Sequence, residues 1–140
     1  MKLMKSKYKA MVLSCMDPRF QNLVHNFLKK KKLTGKYSAF TIARAAVGVT
    51  HNKFKKWHNT FYDNLTTSIQ LHKIEKLIVI NHKDCGAAKI ANGKKEFNPE
   101  NEKKIHQNSF SKIKKEIKKR FPKLKVELNI IALDSKITKF

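Results

Sequence analysis

Two short apolar runs set the tightest limit on how this chain can fold. Met11-Val12-Leu13 ends at Ser14-Cys15, and Leu77-Ile78-Val79-Ile80 runs into Asn81-His82. Each is too short for a helix and apolar at consecutive positions, the pattern of a strand buried on both faces. Helical spacing fills the chain between them. Asp17-Pro18 offers an N-cap acid with proline at the first helical position, and Phe20, Leu23, Val24, Phe27 and Leu28 follow on one helical face. Lys29 to Lys32 put cations where a helix C-terminus favours them, and Thr34-Gly35 breaks the chain. Tyr37 to Ile42 reads as a second strand. Ala43 to Thr50 is a run of small residues that favours neither state. Trp57, Phe61, Leu65 and Ile69 predict a helix over Lys56 to His72. Cys85-Gly86-Ala87-Ala88 reads as a turn opening another helix, and Gly93 to Asn98 as a loop. Asn98-Pro99-Glu100 repeats the helix-start chemistry. Ile105, Ile113, Ile117 and Phe121 carry that helix up to Pro122, and Leu124 to Leu133 reads as a last strand.

Strands that alternate with helices imply an α/β fold, a parallel-centred β-sheet flanked by helices. With no internal repeat and no linker, a single domain over residues 1–140 is expected. In such sheets, sites lie beyond the carboxyl ends of the strands. Cys15 and His82 both fall there, on different strands, and Cys85 follows three residues after His82. Zinc favours thiolate and imidazole ligands in tetrahedral geometry, and two cysteines with one histidine leave the fourth position open for water. A lone cysteine is more often a core residue, and one His-x-x-Cys can arise by chance. The joint placement at two strand ends is what points to a metal. The chain has only four aspartates, and two of them, Asp17 and Asp84, sit beside the cysteines. Asp17 can be a plain helix cap. Arg19, however, is one of only three arginines and lies two residues on, where it can hold a carboxylate through paired hydrogen bonds.

Composition limits the remaining choices. Hydrophobic residues make up 41% of the 140, enough for a packed core. A chain of this size buries about two thirds of its unfolded surface, so support from a metal or a second subunit is expected. The formal net charge is +22, and all but three of the 32 cations are lysines. Lysine is a hydrated point charge, so such a coat gives solubility and a field that attracts anions. The lysines are scattered and no nucleic-acid-binding motif is visible, so nucleic acid is not an expected partner. Two cysteines do not make a disulfide scaffold. No signal peptide or membrane span is expected, and a reducing cytoplasm is the expected location.

Cys15-x-Asp17-x-Arg19, followed far downstream by His82-Lys83-Asp84-Cys85-Gly86, resembles the signature of the β-class carbonic anhydrases, in the branch with His-x-Asp-Cys-Gly. The resemblance covers residues 10 to 135 or so. It implies a zinc ion held by Cys15, His82 and Cys85, with Asp17 and Arg19 as the catalytic dyad beside it. It implies reversible hydration of carbon dioxide to bicarbonate and a proton through zinc-bound hydroxide. It also implies at least a homodimer, with each site near the interface. One segment departs from the family pattern. Where members usually carry arginine-asparagine-alanine-glycine, this chain has Ala43-Arg44-Ala45-Ala46-Val47-Gly48. Ala45, Ala46, Val47 and Gly86 are the expected substrate-pocket residues, and the altered segment keeps carbonyl sulfide and carbon disulfide open as substrates. A non-catalytic zinc protein, or an anion- or nucleic-acid-binding protein, is the remaining alternative. His51 and His58 follow the cleft segment and are candidate proton shuttles. His25 and His106 are expected to be structural or solvated.

Overall fold

A computed structural model describes residues 7–83 and 98–140. Asp84, Cys85 and Gly86, with the turn, helix and loop expected after them up to residue 97, lie outside the described residues. The described chain runs β1 (Ala10–Cys15), α1 (Gln21–Lys30), β2 (Tyr37–Ile42), α2 (Ala45–Thr50), α3 (His58–His72), β3 (Lys76–His82), α4 (Pro99–Arg120), β4 (Lys125–Ile131) and β5 (Ile137–Lys139). The sheet has the order β2-β1-β3-β4-β5. The first four strands are parallel, and β5 returns antiparallel to β4. This is the expected parallel-centred α/β fold.

Strand alternation sorts the core into two layers, because successive side chains point to opposite faces. Met11, Leu13, Leu77, Val79, Leu128 and Ile130 face one layer, where α2, α3 and α4 supply Ala46, Phe61, Leu65, Phe110, Ile113 and Ile117. Ala10, Val12, Ile78, Ile80 and Ile131 face the other, covered by Phe20 and by Leu28 of α1. Both central strands are therefore buried on both faces, which is why they read as continuous apolar runs. Asn98 caps α4 as its chemistry suggested: its side chain accepts the Asn101 N–H at 2.9 Å, and Pro99 follows. The helix stops at Phe121, which leaves the helical region ahead of Pro122.

Two elements differ from expectation. The helix expected from Lys56 begins as a 3-10 turn over Asn52–Trp57 and becomes α-helical only at His58. The break is at Phe54, which is buried and stacks on Trp57 with ring centroids 5.3 Å apart. The strand expected to reach Leu133 ends at Ile131. Asp134 accepts the Lys136 N–H at 3.0 Å, Ser135 takes a left-handed conformation, and β5 turns back. The small-residue segment forms α2, a helix pressed close to the sheet. A Cβ on Gly48 would stand 2.5 Å from the Ala43 carbonyl oxygen. Gly48→Ala is therefore expected to destabilise the fold by about 1–3 kcal/mol, the cost of overpacking a close approach. A denaturant melt measures this, and a loss below about 0.5 kcal/mol would show that the segment yields.

Candidate metal centre

β1 and β3 are adjacent parallel strands, with Ser14 opposite Ile80. Their carboxyl ends therefore bring Cys15 and His82 together, and both residues are buried. Gln21, at the start of α1, ties down the exit from β1. Its amide donates to the carbonyls of Cys15 (3.0 Å) and Asp17 (2.8 Å). The Arg44 backbone N–H donates to the Cys15 sulfur at 3.3 Å. A sulfur that accepts an N–H is a sulfur whose negative charge is stabilised.

Asp17 caps the turn that opens the first helical segment and accepts the Arg19 N–H at 3.0 Å. The Arg19 guanidinium grips the same carboxylate with its Nη2 2.8 Å from Oδ2 and its Nε 3.2 Å from Oδ1. The cap and the ion pair coexist. Hydrogen bonds from Arg19 hold the Asp17 carboxyl at a pKa of about 2, against a partial burial that works the other way. It is ionised at any neutral pH.

The His82 ring stacks on Phe20 with centroids 4.1 Å apart. Its Nδ1–H donates to the Lys83 carbonyl at 2.9 Å, which leaves the lone pair on Nε2. That Nε2 is buried beside the Cys15 side chain and lies 3.8 Å from Asp17 Oδ2. Burial alone would push the imidazole pKa down. The neighbouring Cys15 side chain, the Lys83 carbonyl and the Asp17 carboxylate outweigh it, and the net shift is upward. The imidazole and the Asp17 carboxylate, with the Cys15 side chain beside His82, are donors that a cation would accept. Sulfur with imidazole nitrogen is a donor set suited to zinc, and an Nδ1–H on a carbonyl is the usual way to orient a ligating histidine. Among the described residues no group of three ligating side chains converges. Cys85 lies outside them.

Ala45, Ala46 and Val47 are all buried in α2, and Ala46 belongs to the core beside Val79 and Phe61. The Ala46 backbone N–H donates to Asn81 Oδ1 at 3.1 Å. Asn81, Gln21 and the backbone of Arg44 thus hold the centre together, and motif reading singled out none of them. The one available signal was an asparagine interrupting an apolar strand just before His82. His51 and His58 cluster past α2, where His58 Nε2 bonds the His51 carbonyl at 3.1 Å. Burial, with Lys112 nearby, holds both imidazoles below their ordinary value. His106 is buried and structural, and His25 is exposed.

A family model described as "Putative carbonic anhydrase" matches residues 4–137. An uncharacterized protein of Rickettsia conorii is 28% identical over 125 residues, 89% of this chain and 67% of its own length. Among solved structures, a tetrameric β-carbonic anhydrase of Sordaria macrospora shares the fold with a TM-score of 0.65 at 10% identity, over 97% of this chain and 82% of that one. A β-carbonic anhydrase of Aspergillus fumigatus does so with a TM-score of 0.63 at 11% identity, over 96% and 76%. The parallel sheet that sets Cys15 against His82 is thus the sheet of those enzymes, and with a family match over nearly its whole length the chain belongs to the carbonic anhydrase family, built on the β-class fold.

Proposed function

We propose that this chain, acting as one domain, is a zinc enzyme that reversibly hydrates carbon dioxide to bicarbonate and a proton. The observation that carries the reading is the buried His82 Nε2 beside Cys15, facing the Arg19-held Asp17 carboxylate across 3.8 Å. Cys15 and His82, with Cys85, would hold the zinc. When bound, zinc supplies a Lewis acid that brings the pKa of water towards about 7. The protein's residues do the rest. Asp17 offers an ionised acceptor that orients the reacting water and can take its proton. Arg19 fixes that carboxylate, and Phe20 walls the imidazole from solvent. Ala45, Ala46 and Val47, with Gly86, would border a small apolar pocket suited to a linear, uncharged gas. The lysine-rich surface would favour the anionic product near the site.

The tetrameric state named for the Sordaria enzyme supports a homodimer or larger assembly here. Among the described strands β2 stands at one edge of the sheet, a position that suits such pairing. No helix among the described residues is long and apolar enough to cross a membrane.

Purified protein is expected to carry about one zinc per chain and to accelerate carbon dioxide hydration in a stopped-flow assay. The same preparation assayed on carbonyl sulfide and carbon disulfide separates the related hydrolases. Turnover of either with no carbon dioxide hydration would reassign the substrate, and zinc-loaded protein inert on all three would reject the enzyme reading.

A further inference from the structure

At the start of α2 the backbone holds two consecutive residues of positive φ, neither a glycine: Arg44, its N-cap, at φ 82° and Ala45 at φ 46°. Residues with a Cβ persist there only where their surroundings over-determine them. Two anchors do so. One is the Arg44 N–H on Cys15 Sγ, and the other is the Ala46 N–H on Asn81 Oδ1.

Asn81 is 1% exposed and follows four apolar residues of β3. Its amide is used completely. Oδ1 accepts from Ala46 at 3.1 Å, and Nδ2 donates to His106 Nδ1 at 2.9 Å and to Ser109 Oγ at 3.3 Å. Ser109 spends its own hydroxyl hydrogen on the His106 carbonyl at 2.8 Å, so its oxygen is free to accept. The opposite amide orientation would set the NH₂ against the Ala46 N–H and is excluded. α4 therefore fixes the amide, and the amide fixes the first turn of α2.

We infer that Asn81 is a positioning residue: it locks Ala45–Val47 at a set place relative to His82, its neighbour in β3, and so holds the substrate pocket against the metal centre. This role rests on the carbon dioxide reading above. The placement explains why a strand otherwise filled by Leu77 to Ile80 carries an amide at its buried end. The amide reaches across to another element instead of satisfying its own.

Asn81→Leu removes the acceptor while keeping the branched shape of the side chain. Asn81→Asp keeps one oxygen for the Ala46 N–H, and His106 can meet the other by carrying a proton on Nδ1. Both are compared with wild type as zinc-loaded protein for zinc content, for kcat and KM of carbon dioxide hydration, and for hydrogen exchange at the Ala46 amide. Asn81→Leu is expected to keep its zinc, to exchange the Ala46 proton about tenfold faster or more, and to lose about tenfold in kcat/KM. Asn81→Asp is expected to stay within about threefold of wild type in both. A purely structural role would lower the stability of Asn81→Leu and leave kcat/KM of its folded, zinc-loaded fraction unchanged, and that result overturns the inference. An Asn81→Asp that loses as much as Asn81→Leu overturns it too. If Asn81→Leu does not fold, the aspartate variant decides alone, and a tenfold loss in it is fatal. A wild type that binds zinc and hydrates no carbon dioxide removes the reaction and this role together, a failure distinct from a Leu variant that works as well as an active wild type.

Discussion

His82→Gln is expected to strip zinc from the protein and to lower carbon dioxide hydration by on the order of a thousandfold, about 4 kcal/mol in the barrier. Glutamine roughly preserves the volume under Phe20, so the stacked ring keeps a neighbour and no large cavity opens. What is lost is the imidazole Nε2, the buried acceptor that faces Asp17 across 3.8 Å. An amide is a poor ligand for a borderline-soft metal. Cys15→Ser and Cys85→Ser should behave alike, since a hydroxyl does not replace a thiolate. Metal analysis beside a circular dichroism spectrum checks the result. A His82→Gln protein that is folded and retains full zinc would remove His82 from the site, and a Cys85→Ser protein with full zinc would do the same for Cys85.

The reason for expecting so large an effect is electrostatic. With Nδ1–H committed to the Lys83 carbonyl, the lone pair of His82 Nε2 lies 3.8 Å from the Asp17 carboxylate, with the Cys15 side chain beside the imidazole. Arg19, from the outer side of Asp17, compensates the carboxylate. Buried groups of this kind are costly unless a cation or proton answers them.

The strand-end positions of Cys15 and His82 were legible because each closes an apolar run, and a buried parallel strand leaves no other pattern in a sequence. The caps at Asp17 and Asn98 were legible for a related reason: capping acts within three residues, so local chemistry suffices. One other feature depends on contacts distant in sequence. α2 is a helix because Ala46 and Val49 pack on the sheet and Asn81 holds its first turn, partners about 35 residues away that no local propensity encodes. The 3-10 opening before α3 follows from where Phe54 must be buried against Trp57. The turn at Asp134-Ser135 was written in turn chemistry and was masked by the apolar residues on either side of it. At the centre itself, motif residues could be named from spacing, whereas Gln21, Asn81 and the Arg44 amide act through geometry alone.

Arg19→Lys and Asp17→Asn separate a catalytic dyad from a helix cap, because both substitutions leave the cap intact. In Arg19→Lys the backbone N–H that Asp17 accepts at 3.0 Å is still present, and only the guanidinium fork is lost. Lysine is a point charge and cannot hold both carboxylate oxygens. In Asp17→Asn the amide oxygen still caps, since asparagine ranks with aspartate at that position. Neither side chain is in the apolar core, so both variants should fold and bind zinc. Both are nevertheless expected to lose activity about tenfold or more, about 1.4 kcal/mol in the barrier. Freed from its fork, the Asp17 carboxylate in Arg19→Lys would be available as a ligand to a bound zinc ion and would no longer be held to orient the reacting water. In Asp17→Asn the acceptor is weaker and cannot take a proton. With Arg19 holding the Asp17 pKa at about 2, the carboxylate is ionised across the working range. A carboxyl depressed this far would lose its charge only as pH falls through that value. The loss in Asp17→Asn should therefore be uniform between about pH 5 and 9, with no new limb in the rate profile. Stopped-flow rates across that range on zinc-analysed protein provide the test. Near-normal rates in both variants would leave Asp17 a helix cap and Arg19 its surface partner.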